Sequence, residues 1–153
     1  MNVQVQIVDG PVPPDAVTAA AALADGGEAG ALLRFDGIVR RMEDGRPLQA
    51  LHYEAYEPMA SRELLALARE TAAKHGLLWL QAWHSRGEVP VGAVSFVLLV
   101  CAAHRAEAIS AVDHFIRQLK RDVPIWKRPC WEAGSAAVRG DAPPGPGSFR
   151  AGG

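Results

Sequence analysis

Ile109, Val112, Phe115, Ile116 and Leu119 recur at three- and four-residue spacing, which predicts an amphipathic helix with one apolar stripe. Pro124 stops that helix from running on, because proline lacks the amide hydrogen and its ring clashes with the preceding turn. The chain must turn there, and residues 125–131 read as a short strand, which needs a sheet to join. Lys120, Arg121, Lys127 and Arg128 place four cations within nine residues, around the apolar Ile125 and Trp126. A solvated charge run has no need of two such anchors. They pin the backbone while Lys120 and Lys127 reach into one place, suited to an anion and to amine chemistry.

The rest of the chain supplies strands. Val3, Val5 and Ile7 alternate with polar residues, as in a half-buried strand. Pro13-Pro14-Asp15 opens an alanine-rich helix through Ala24, stopped by Asp25-Gly26-Gly27. Residues 30–39 read as a second strand, 41–46 as a polar, mobile loop, and 48–56 as a third strand, antiparallel to the second across that loop. Pro58 suits the first turn of a helix running to His75, with Gly76 as its C-cap. Residues 77–83 and 94–101 are apolar strands separated by the turn-rich residues 87–92. Strands and helices mix without strict alternation, so the fold class is α+β, as a single domain over residues 1–133. Residues 134–153 shift to Gly, Pro, Ala and Ser, a flexible tail too poor in apolar side chains to fold alone.

Composition excludes several functions. The chain's 153 residues suit one ordinary domain. A net charge of -1 opposes a general nucleic-acid binder, which depends on excess Lys and Arg. The cationic cluster is therefore local and fits a small anion better than a polymer. No stretch approaches the apolar length of a membrane span, and residues 1–10 show neither region of a signal peptide. Cys101 and Cys130 have neither metal-ligand spacing nor a disulfide framework. These features predict a reduced cytoplasm, with no metal and no membrane.

Three cationic sets carry the candidate chemistry: Arg40 with Arg41, His104 with Arg105, and the lysine stretch. His104 and Arg105 stand where an apolar strand meets the start of the amphipathic helix, whose free amides and positive dipole end favour an anion. Arg can grip a phosphate through two parallel bonds. Amines such as Lys120 and Lys127 can serve as nucleophile or proton carrier. Elsewhere, Tyr53 faces opposite to His52 and Glu54 and reads as packing. His84 and Glu88 read as flanking a turn, Cys101 as core, and His75 and His114 as surface residues on helices.

The ordered set Phe35-Asp36-Gly37-Ile38-Val39-Arg40, His52-Tyr53-Glu54-Ala55-Tyr56, His84 with Gly87, Ala103-His104-Arg105, then Lys120 and Pro124-Ile125-Trp126-Lys127, resembles the molybdopterin synthase catalytic (large) subunit family. The resemblance spans roughly residues 3–132. It implies an α+β domain with an α/β hammerhead-like portion and an antiparallel sheet, forming a homodimer. It further implies that this dimer binds two copies of a small ubiquitin-like sulfur carrier as a heterotetramer. The carrier's C-terminal Gly-Gly thiocarboxylate would deliver two sulfurs to cyclic pyranopterin monophosphate, yielding molybdopterin with no metal or organic cofactor.

By the same resemblance Lys120 and Lys127 are the catalytic lysines. His104 and Arg105 hold the substrate phosphate, Arg40 reaches a pocket completed by the other protomer, and Arg128 assists substrate binding. The chain departs from the family pattern twice. Pro129 stands where an acidic residue usually follows Trp126-Lys127-Arg128, and Ser85 intervenes between His84 and Arg86. The first departure keeps open a rival reading, a non-catalytic anion-binding or scaffolding module on the same fold. The terminal Gly152-Gly153 reads as a coincidence of a Gly-rich end.

Overall fold

In the computed structural model, which describes residues 2–17 and 26–133, an eight-residue strand β1 (Asn2–Asp9) leads into a single 3-10 turn at Pro14–Val17. The alanine-rich helix expected through Ala24 lies beyond that turn, outside the described residues, as does the tail at 134–153. There follow β2 (Ala31–Ile38), β3 (Met42–Glu43), β4 (Arg46–Ala55), α1 (Met59–His75), β5 (Trp79–Pro90), β6 (Val94–Ala102), α2 (Arg105–Asp122) and β7 (Ile125–Trp131). The strands form one seven-stranded sheet in the order β2-β6-β5-β4-β3, with β1 beside β5 and β7 beside β4. All pairings are antiparallel except β1 with β5. The α+β expectation holds.

The core follows from strand alternation. On β6, Phe96, Leu98, Val100 and Ala102 join the main core with Leu64, Ala68, Phe115 and Leu119 of the two helices. Val97, Leu99 and Cys101 point the other way and pack with Val12 and Trp79. An unbroken apolar run such as 96–102 is what a strand covered on both faces requires. Helix α1 ends as its sequence predicts, with Gly76 in the left-handed conformation at φ 62°.

Two expectations about strands need correction. The second and third expected strands do not pair. β2 pairs with β6 over its whole length, whereas β4 lies between β5 and β7. The supposed mobile loop is ordered instead. Asp44 and Gly45 both have positive φ, 50° and 73°, and close a tight hairpin in which Met42 pairs with Pro47 and Glu43 with Arg46. Asp-Gly is the dipeptide that such a turn favours.

The stretch 87–92 is also mostly strand. β5 continues to Pro90, and only Val91 and Gly92 turn. Gly87, at φ 86°, bends β5 instead of ending it. Before the bend β5 pairs with β1 and β6; from Gly87 onward it pairs with β4.

Gly30 secures the junction that presents His104. Its amide donates to the Ala102 carbonyl at 3.0 Å, and a Cβ built on Gly30 would run into the Ala103 carbonyl oxygen. Gly30→Ala is expected to destabilise the fold by about 1–3 kcal/mol, as overpacking against backbone does. Urea unfolding midpoints of the two proteins measure it.

Candidate functional site

Helix α2 carries Lys120 in its last turn and stops where Val123 caps it, its amide donating to Leu119 at 3.3 Å. The turn is then clamped from two sides. Val123 and Ile125 are buried, and the Tyr56 amide donates to the Pro124 carbonyl at 3.0 Å. Ile125 thus acts as the anchor expected of it, and Trp126 is half-buried beside it. Along β7, Lys127 shares the inward face with Ile125 because side chains alternate. Across the β4–β7 ladder its partner is the buried Tyr53.

Between these elements lies a cavity of about 110 Å³ lined by Arg40, Glu43, Tyr53, Ser95, Lys120 and Lys127, among others. Lys127 Nζ lies 3.2 Å from Glu43 Oε1, and both side chains are largely enclosed, 17% and 16% exposed. The Tyr53 hydroxyl donates to Ser95 Oγ at 3.1 Å, and Ser95 in turn donates to the Gly37 carbonyl at 3.4 Å. Burial pushes the Tyr53 phenol above its ordinary pKa; the Ser95 bond opposes this and the Glu43 charge adds to it. The phenol therefore stays neutral at physiological pH. Three cations face one carboxylate, so the cavity favours an anion.

The structure brings Arg40, Lys120 and Lys127 together within one chain. His104 and Arg105 stand elsewhere. His104 caps the start of α2 in an extended conformation, and both line an open cleft of about 560 Å³ with Gly30, Ala103 and Ala106. Sixteen steps along the helix separate His104 from Lys120, roughly 24 Å at 1.5 Å per step. Arg128 is turned away as well. Next to Lys127 on the strand, it must face the opposite side, where it meets Glu54 at 3.3 Å with both side chains more than half exposed.

Several residues differ from their expected surroundings. Tyr53 packs inside the sheet and also forms a wall of the cavity. Glu43 was hidden in the polar loop, and only the Asp44-Gly45 turn signal could have placed it on a fixed hairpin. His84 lies inside β5, 1% exposed, edge-on to Tyr53 with ring centroids 5.2 Å apart. His75 and His114 meet across α1 and α2 with ring centroids 5.2 Å apart, half-buried instead of on the surface. Burial foremost, then His114 and Lys74, pulls His75 below its ordinary pKa. Cys101 belongs to the core, where burial raises its thiol pKa. No three metal-ligating side chains are grouped among the described residues.

A family model described as MoaE protein matches residues 8–122, which takes in most of the sheet, both helices and Lys120. The chain belongs to the MoaE protein family. Within it, the molybdopterin synthase catalytic subunit of Oryza sativa subsp. indica is 42% identical over 106 residues, 69% of this chain and 55% of that protein. The chain thus spans just over half the length of that relative. The molybdopterin synthase structure from Staphylococcus aureus superposes with TM-score 0.73 at 30% identity, covering 84% of this chain and 91% of that one. A complex of subunits 1 and 2 of molybdopterin-converting factor from Helicobacter pylori contains a chain with TM-score 0.69 at 26% identity, covering 85% and 90%. The family resemblance read from the ordered motifs holds.

His84 gives this MoaE fold a pH dependence. Burial pushes its pKa from 6.5 down to about 4, against the raising effect of its 2.8 Å contact with the Ser85 carbonyl. The folded state keeps the imidazole neutral while the unfolded chain protonates it, so stability is full above pH 6.5 and falls as pH drops toward 4. The loss attributable to His84 is expected to be about 3 kcal/mol. Denaturant unfolding at stepped pH, with His84→Gln flattening that part of the profile, measures it.

Proposed function

We propose that this protein is the sulfurtransferase subunit that converts cyclic pyranopterin monophosphate to molybdopterin. The sulfur comes from the C-terminal thiocarboxylate of a small ubiquitin-like carrier. The observation that carries this reading is the convergence of Lys120, Lys127 and Arg40 on one small cavity. At about 110 Å³ the cavity is small beside ordinary ligand pockets, which suits the reacting end of a carrier tail. The lysines hold and exchange protons around the acyl group and the attacked carbons, with Arg40 neutralising negative charge beside them.

The substrate's phosphate falls to His104 and Arg105, at a helix start whose amides suit an anion. Their distance from Lys120 along α2 favours a site assembled from two protomers, each lending the first turn of its helix to the other's lysine cavity. The working form is then a homodimer carrying two sulfur-carrier subunits as a heterotetramer. The complex of two subunits solved for the Helicobacter pylori factor supports a protein partner of this kind. No helix among the described residues is long and apolar enough to cross a membrane, and both cysteines are free thiols. A cytoplasmic setting accords with both.

Reconstitution with a thiocarboxylated carrier and cyclic pyranopterin monophosphate tests the reading. The unaltered chain is expected to form molybdopterin, and Lys120→Ala to lose at least about 100-fold in rate, the low end of what a positioned acid or base contributes. Turnover undiminished in Lys120→Ala would remove that lysine from the mechanism. Substrate binding with no product from the unaltered chain would leave an anion-binding module.

A further inference from the structure

The strand that carries Lys127 offers it no acid. Arg128, Pro129 and Cys130 follow it, and the nearest carboxylate comes from a different element. Glu43 reaches Lys127 Nζ from the β3–β4 hairpin, and three features separate this pair from a surface bridge. Both side chains are less than one-fifth exposed, at 17% and 16%, whereas Arg128 and Glu54 nearby pair at 52% and 59%. Enclosure from water strengthens the attraction and reduces its screening by salt. The backbone that carries Glu43 is fixed as well. Asp44 and Gly45 close the tight turn, and the Leu48 amide donates to the Arg41 carbonyl at 2.6 Å. Finally, Glu43 lines the same cavity as Arg40 and Lys120, so the pair forms part of the cavity wall.

We propose that Glu43 is a positioning residue for Lys127, an inference that rests on the sulfur-transfer reading of this cavity. A lysine ends four flexible carbons and its ammonium has no fixed direction of its own. The hairpin carboxylate supplies the direction. Tyr53, directly across the ladder and tied to Ser95, forms the neighbouring wall of the same cavity. The amine is thus held in place before substrate arrives, and reaction rates depend steeply on such placement. Glu43 also adds negative charge to a cavity where three cations share a small space.

Two readouts on the full-length chain test the inference. Trace acetylation followed by mass spectrometry reports how available each amine is, with the exposed Lys74 as internal reference. In Glu43→Gln the Lys127-to-Lys74 labelling ratio is expected to rise several-fold, and in Glu43→Asp by less. In the reconstituted reaction Glu43→Gln is expected to lower kcat about tenfold with KM for the cyclic substrate little changed, as loss of orientation does. Glu43→Asp should recover part of that rate.

An unchanged labelling ratio in Glu43→Gln would overturn the proposal, because the amine would then be held by something else. So would a freed amine with full kcat, in a background where Lys127→Ala is inactive. Wild-type turnover by Lys127→Ala has a different meaning. It would take this amine out of the reaction, and the sulfur-transfer role of the lysine would fall first.

Discussion

The register of β7 against β4 decides what the site contains. Ile125 is fully buried and sits opposite Ala55, which sets Lys127 opposite Tyr53 two residues further on. A slip of one residue would turn Lys127 to the outer face and bring Arg128 inward, because side chains alternate along a strand. The apolar anchor therefore fixes which cation faces the cavity. Pro124 contributes by ending α2 just past Lys120, so that helix and strand deliver their lysines to the same small volume.

Much of this was legible in the residues. The apolar spacing from Ile109 to Leu119 and the stop at Pro124 gave α2, and residues 125–131 were read with the bounds the strand has. Local signals of this kind act over a few residues and are written where they act. Partner choice is different. Nothing in residues 30–56 says that β2 pairs with β6 instead of its neighbour in sequence, because that outcome depends on which apolar faces the helices cover. Gly87 misled for a related reason. A glycine in a strand signals a turn or a bend, and only the neighbouring strands distinguish them.

The site shows the same division. Lys120, Lys127 and Arg40 were legible as cations at element ends, where charge is conspicuous. Glu43, Tyr53 and Ser95 were not, since an acid in a polar loop and a tyrosine on a strand are common. Their significance comes from contacts between residues far apart in the chain, Tyr53 with Ser95 and Glu43 with Lys127. Pro129 stands where an acidic residue usually follows in the family, yet Lys127 has an acidic partner. The partner arrives from a hairpin more than eighty positions earlier.

The bend at Gly87 has a geometric consequence for this cavity. β5 changes partners there, so the sheet is in effect two half-sheets joined by one strand. Ser95 and Arg40 come from the half built on β2 and β6; Glu43, Tyr53 and Lys127 come from the half built on β4. The cavity lies on the seam between the halves, and the strand that joins them changes partners at a glycine that lines none of it. A substitution that forced Gly87 out of its positive φ would act on that seam from outside the cavity, with every lining side chain still present.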